Sequence, residues 1–470
     1  MLPISICRIF RLFLLVLLTA AIALSLPACK KFVEVDLPTS EVAEEAVFSS
    51  NEAANSAMLG VYVKMNNTPQ AMFAGGISVN AAMYADEIIN TTTNTSYDPF
   101  TKNSLVPTTT VVNTRIWSAA YPLIYQVNSI LEGLEKPGTG VSDSARKQLQ
   151  GEARLVRAII YFNMVNLFGD VPLVLTTDYR TTATLPRTST NEVYGQIIQD
   201  LLAAATMLPS SLSLNRGRPS KWAAQALLAR VYLYRKQYML AEAAATEVIQ
   251  SGLFSLVTNL NQVFLLASPE IIWQLLPVGT AEVNSPEGNI YIPASATTRP
   301  TFVLTTDLFT AFEAADQRKA AWTKTVTVSG TNYTFPNKYK VRSGTPATEA
   351  DVILRFSELY LIRAEARAEQ DKISGAGGAE EDLNKSRNRA GLTSLSGSSK
   401  TQVVDAIRKE RRIELFTEWG HRFFDLKRWG QADQILGTSK SPNWTTADQY
   451  WPVPQSQLDA NPFLTQNPGY

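Results

Sequence analysis

The chain has 470 residues, with 43 Lys and Arg against 42 Asp and Glu for a net charge of +1. No basic run interleaved with aromatics stands out, so nucleic acid is excluded as an expected partner. With one histidine and two cysteines, one of them (Cys7) in a segment expected to be removed, neither a multi-histidine metal site nor an intramolecular disulfide is available.

At the start, Arg8 and Arg11 precede an apolar run from Leu12 to Leu26, followed by Pro27, Ala28 and Cys29. This is the layout of a secretory signal, and residues 1–28 are read as a leader that is removed. Leu26-Pro27-Ala28-Cys29 resembles a bacterial lipobox, in which the thiol takes a diacylglyceryl group before cleavage. The resemblance makes Cys29 the lipidated first residue of a mature domain spanning residues 29–470. Beyond it, no apolar stretch is long enough to cross a bilayer. Lys30 and Lys31 then serve as contacts to phospholipid headgroups or as a solvated tether.

After an extended leader from Phe32 to Ser40, helical periodicity begins and recurs through most of the chain. A polar excursion over about 90–113 is read as a surface loop. The segment from Gly151 to Ala158, continued to Tyr161, has a small-x-x-aromatic step. From Pro219 to Gly252 the pattern predicts two antiparallel helices, with Pro at the start and Gly at the end. Within it, Leu228-Ala229-x-x-Tyr232 followed by Ala241, Ala245 and Val248 has the small-and-large spacing of a tetratricopeptide repeat. A second excursion, about 278–348, contains a predicted β-hairpin in which Thr325–Val328 and Tyr333–Phe335 flank Ser329-Gly330-Thr331-Asn332. Arg355 to Glu369 reads as a third helical block. The fold class is therefore mainly α, with tetratricopeptide-like repeats supporting an irregular, loop-rich half.

At this point the residues resemble the SusD/RagB family of outer-membrane nutrient-uptake lipoproteins. The resemblance rests on Cys29 to Asp36, Arg157-Ala158, Tyr161-Phe162, Phe168 to Leu173, and Lys221 to Leu233. It gains specificity from Glu358 to Ala366, Arg387 to Leu392, Glu410 to Leu415, Arg422 to Gly430, and the closing Gln466 to Tyr470. Trp419 departs from it, standing before the Gly-x-Arg where the family often has a compact residue. The resemblance implies a lipid anchor in the outer membrane and a SusC-like TonB-dependent barrel as partner. It also implies capture of a nutrient glycan, or alternatively of a peptide, with no cofactor.

Charged residues on the Ala/Leu-rich helices, namely Arg363, Glu365, Arg411, Arg412 and Glu414, are expected to pair across helices or face water rather than form a catalytic cluster. Phe423, Phe424, Trp429 and His421 are read as structural. No phosphate loop, nucleophile elbow or metal-ligand spacing appears. A glycoside hydrolase would need two carboxylates held about 5–10 Å apart, a geometry that spacing cannot show. A scaffold that binds only protein is a further alternative. Ligand-binding candidates are drawn from the excursions: Asp86, Asn90, Tyr97 and Phe100 in or near the first, Asn289, Tyr291 and Arg299 in the second. Aromatic faces pack on the C–H face of a pyranose, while amide, carboxylate and guanidinium groups take its hydroxyls. Tyr97 and Tyr291 are expected to matter most, unless they plug their own loops.

Overall fold

A computed structural model of the chain describes residues 44–278 and 284–470; the leader and Cys29 lie outside the described residues. Residues 48–470 form one compact unit. Its labelled elements run α1 (Asn51–Asn66), α2 (Ile77–Tyr84), β1 (Ile88–Asn90), α3 (Asp98–Lys102), α4 (Ser118–Glu135), α5 (Asp143–Phe168), α6 (Thr190–Met207), α7 (Lys221–Tyr234) and α8 (Tyr238–Gln250). They continue with β2 (Ile271–Leu275), α9 (Pro286–Tyr291), β3 (Phe302–Leu304), β4 (Thr323–Val328), β5 (Thr331–Pro336) and β6 (Asp351–Arg355). After β6 come α10 (Phe356–Glu369), α11 (Ala379–Arg389), α12 (Lys400–Glu414) and α13 (His421–Arg428), followed by two further helices, Ala432–Ser439 and Gln455–Ala460. A short helix, Glu44–Val47, belongs to the preceding unit, residues 1–47.

The helical scaffold is a chain of neighbours in which α4 packs on α5, α5 on α6, α6 on α7, α7 on α8, α8 on α10, and α10 on α11 and α12. Small residues let these axes approach: Ala223, Ala226, Ala229, Ala241 and Ala245 are all buried between α7 and its neighbours. Several long charged side chains are also enclosed between the helices, and these are paired. Arg157 of α5 holds Asp200 of α6 through two bonds of 2.8 and 2.7 Å. Arg230 of α7 holds Glu358 of α10 at 2.8 and 2.6 Å. Arg363 and Arg367 of α10 converge on Asp382 of α11, with shortest distances of 2.7 Å each. A bidentate Arg–carboxylate fork fixes both distance and rotation between two helices, which apolar contacts alone leave freer.

The expected pairing of the helix charges is what the structure contains. Glu365 accepts from Arg428 and from Trp429 Nε1 (2.8 Å), and Arg411 from α12 reaches Asp425 of α13 at 2.8 Å. His421 is buried, and burial followed by the neighbouring Arg230 and Arg411 holds its imidazole well below the usual range, so it is neutral and structural. Phe423 and Phe424 are core residues. Around Tyr84 the rings of Phe423, Trp444 and Trp451 pack with centroids 5.1, 6.1 and 5.7 Å away. The closing motif locks this core: Asn467 Nδ2 donates to the carbonyls of Phe168 (2.9 Å) and Trp451 (2.8 Å).

Both excursions differ from plain surface loops. The first contains α3 and a π-helical turn, Val112–Trp117, and buries Phe100, Leu105 and Val112. The second contributes α9, β3 and the hairpin. The reason is pairing between them: β1 runs antiparallel to β3, with Ile88 opposite Leu304 and Asn90 opposite Phe302. The hairpin forms as expected but with a tighter turn. Ser329 and Gly330 have φ of +50° and +78°, so they alone make the turn and Thr331 and Asn332 join the strand.

Candidate ligand-binding cleft

Three segments distant in sequence enclose a cleft of about 220 Å³. The end of α1 supplies Asn66 and Asn67, the turn after it supplies Pro69 and Ala74, and α9 supplies Pro286, Asn289 and Ile290, with Pro277 closing one side. The turn is a π-helical segment, Met72–Gly76, and two glycines make it possible. Gly75 has φ +82°, and a Cβ there would lie 2.5 Å from Ile290 Cδ1. At Gly76 a Cβ would lie 2.5 Å from the carbonyl oxygens of both Gln70 and Ala71. Glycine at both places therefore lets the turn close on itself and against α9. Ser285 caps α9, accepting from Gly288 N at 3.0 Å, with Pro286 at the first helical position.

The structure brings several sequence candidates together beside this cleft. Tyr97 and Tyr291 pack edge-on against the same ring, Phe302 of β3, with centroids 5.0 and 6.3 Å away. Tyr97 Oη donates to Gln70 Oε1 at 2.7 Å, tying this cluster to the turn that carries Pro69. Both tyrosines are buried, at 7% and 4% exposure, so they plug the junction of the two excursions and do not form an exposed stacking platform. Replacing either by Ala is therefore expected to lower stability by about 3 kcal/mol or more, as for other buried aromatic truncations, in a chemical denaturation experiment. A variant with unchanged stability and lost ligand binding would restore the stacking assignment.

Of the remaining candidates, Asn289 lines the cleft. Asn90 holds its own loop: its Oδ1 accepts from Thr92 N at 3.0 Å and its Nδ2 donates to Asn94 O at 3.1 Å. Phe100 is fully buried against Trp451 at 5.3 Å. Asp86 is enclosed by Arg422 (2.7 Å) and Arg412 (2.8 Å); burial alone would raise its carboxyl, and these two arginines lower it instead. Its oxygens are thus engaged within the protein. Arg299 is exposed on the loop before β3. Asn66, Asn67 and Pro69 were not among the sequence candidates. The only signal was a run of turn formers, Asn66-Asn67-Thr68-Pro69-Gln70, breaking a helical pattern.

Beneath α9 lies a buried acidic group. Glu287 accepts from Ser78 Oγ at 3.1 Å, and its carboxyl and that of Asp351 face each other and share a hydrogen bond. Burial, then each other's presence, raises Asp351 well above the usual range, and burial pushes Glu287 up to about 7. Burial and the neighbouring Asp86 push Glu87 up to about 8. These groups keep protons in the folded protein that the unfolded chain releases near pH 4.5. Stability from this source is complete below that pH and is lost as pH rises through 7 to 8. The melting temperature is expected to fall between pH 5 and pH 8, with a shallower fall in Glu287→Gln. A variant profile parallel to wild type would contradict this.

A family model described as "Starch-binding associating with outer membrane" matches residues 31–233. One described as "SusD family" matches residues 300–470. The chain belongs to the SusD/RagB family. Among its relatives, SusD-like protein P25 of Formosa agariphila is 24% identical, covering 94% of this chain and 95% of the relative. A SusD-like protein of Bacteroides ovatus is 25% identical over 67% of this chain and 65% of its own length. A SusD superfamily structure from Bacteroides vulgatus superposes with TM-score 0.79 at 22% identity, covering 90% of this chain and all of that one. A structure named a laminarin-binding SusD-like protein gives TM-score 0.73 at 25% identity, with 90% and 100% coverage. As a SusD/RagB chain it has the family's tetratricopeptide-like helical fold. The α9 wall of the cleft falls between the two matched spans, whereas Asn66 to Ala74 falls within the first.

Proposed function

We propose that this protein captures a saccharide in the cleft between the end of α1 and α9 and delivers it to a partner SusC-like TonB-dependent barrel. It performs no chemistry on the ligand and works at the outer membrane, held by lipid on Cys29. Family membership supports the reading, as do the starch-binding description of the first matched family and the laminarin-binding relative. The observation that carries it to a place in the molecule is the cleft lining. Amide groups stand next to apolar surface from Pro69, Pro286 and Ile290, the mixture that a sugar's hydroxyls and C–H faces require. Among the described residues, Glu287 of α9 is buried and accepts from Ser78, and Asp86 is buried against Arg422.

Calorimetry with laminarin, starch and other oligosaccharides tests this, alongside chromatography of each ligand after long incubation. Binding without cleavage, weakened in Asn66→Ala and Asn289→Ala, is the expected result. Recovery of cleaved ligand, with cleavage abolished by a carboxylate substitution, would replace this reading with a glycosidase.

A further inference from the structure

The short helix α9 presents two faces. Pro286, Asn289 and Ile290 border the cleft, whereas Glu287 and Tyr291 border a small internal cavity shared with Lys338, Tyr339 and Glu418. From that inner face the Glu287 carboxyl meets Asp351, the first residue of β6, in a shared hydrogen bond. Asp351 lies opposite Leu275 at the end of β2. The next two residues serve the cleft: the Leu276 carbonyl accepts from Asn66 Nδ2 at 3.1 Å, and Pro277 closes one side. The carboxyl pair therefore ties one wall of the cleft to the strand pair that carries another. Both members are buried, at 3% and 0% exposure. Two carboxyls share a hydrogen bond only while at least one holds a proton, because two carboxylates offer acceptors alone.

We propose that Glu287 and Asp351 are positioning residues for the cleft, their shared proton holding α9 against β6 so that its loss at alkaline pH loosens the wall and weakens capture. This control rests on the saccharide reading above for its ligand and adds a regulation of the same site. Burial pushes Glu287 up to about 7 and raises Asp351 well above the usual carboxylate range, so both are protonated at pH 6. As pH rises past 7, loss of the first proton leaves a buried charge between α9 and β6, and loss of the second leaves two carboxylates face to face. Ser78 of α2 donates to Glu287 at 3.1 Å in either state. Lys338 is committed elsewhere, donating to Glu418 and to the Glu414 carbonyl (2.8 Å), and Glu418 is also held by Arg355 at 2.7 Å. Burial raises Tyr291 and Tyr339 well above the usual phenol range, so both stay neutral. Lys338, pushed down to about 8 by burial, and Glu87, which acts on Tyr291 and is pushed up to about 8, titrate in the same window. Amide substitutions within the pair leave both of them in place.

Hydrogen exchange in the mature chain reads the wall without any ligand, through the Asn289 and Ile292 amides, which donate to the Ser285 (3.1 Å) and Gly288 (3.2 Å) carbonyls. Between pH 6 and pH 9, protection corrected for intrinsic exchange is expected to fall by roughly tenfold more at α9 than at α5, the weight of one hydrogen bond to a charged group. Calorimetry with laminarin and starch oligosaccharides should show a matching fall in affinity. Glu287→Gln and Asp351→Asn keep a bridge that needs no shared proton, since the amide nitrogen donates to the remaining carboxylate. Both variants are expected to retain α9 protection and affinity at pH 9, whereas a merely structural contact would make them weaken equally at both pH values. Protection at α9 that follows α5 at every pH overturns the proposal, as does a pH dependence that persists in both amide variants and so belongs to Lys338 or Glu87. Affinity that stays level while α9 loosens overturns it too. Exchange that behaves as expected, with no oligosaccharide bound at either pH, leaves the proton-held wall standing and overturns the saccharide reading instead.

Discussion

Replacing Arg355 by Met is expected to destabilise the protein by about 3–5 kcal/mol, the loss typical when one partner of a buried ionic network is removed. Arg355 stands at the junction of β6 and α10, where its guanidinium meets three carboxylates. Nε donates to Glu418 Oε2 at 2.7 Å, and Nη1 to Glu414 Oε1 at 2.5 Å and to Glu270 Oε1 at 3.3 Å. Nη2 adds the Glu414 carbonyl at 2.6 Å. Burial by itself would raise the Glu414 carboxyl, yet Arg389, Arg355 and Arg318 around it hold it well below the ordinary range. In the Met variant three acids share fewer cations, and Glu270 and Glu414 are fully buried. Stability from Glu414 is present above the ordinary carboxylate pKa and lost as pH falls through its depressed folded value, so the wild-type advantage should shrink towards strongly acid pH. Urea unfolding of wild type, Arg355→Met and Arg355→Lys measures the effect, with the lysine variant expected between the other two. A loss below about 1 kcal/mol, the range of exposed pairs, would mean that Arg389 and Lys338 suffice for these acids.

The contrast between Arg355 and Tyr291 shows what the sequence could reveal. Helix pairing was legible because its cause is local: alanines at three- and four-residue spacing let α7 and α8 approach, and a charge on such a face has to find an opposite charge on the next helix. Arg363, Glu365, Arg411 and Glu414 do so, while Arg412 pairs with Asp86 in the turn after α2. The hairpin was legible for the same reason, since Ser329-Gly330 supplies its turn within a few residues. The cleft was not, because its walls are about two hundred residues apart in the chain and meet only through tertiary contacts such as Asn66 with Leu276. Tyr97 and Tyr291 stand in aperiodic sequence, which suggests freedom from packing. Pairing of β1 with β3 gives them a shared partner, Phe302, that neither segment displays alone. α9 turns Asn289 towards the cleft while Tyr291 packs against Phe302.

In cells that lack the proposed barrel partner, Cys29→Ala is expected to move the protein out of the outer-membrane fraction, with saccharide binding unchanged. Each buried CH₂ of an acyl chain contributes roughly 0.8 kcal/mol, so one chain binds reversibly and two or more hold for the life of the protein. No helix among the described residues is long and apolar enough to cross a membrane, and a net charge of +1 gives little attraction to anionic lipid. The substituted side chain cannot accept the diacylglyceryl group, so the leader is either retained or cleaved as in an ordinary secreted protein. Fractionation should be run in cells lacking the proposed SusC-like barrel partner, because such a partner, once bound, would hold even an unlipidated chain at the membrane. Expected there is wild type in the outer membrane and the variant in the soluble or inner-membrane fraction, with the cleft still titrating normally after purification. A variant that remains in the outer membrane without its barrel would refute lipidation at Cys29 as the anchor. A variant lost from the membrane only when the barrel is absent would show that partner contact and lipid each suffice.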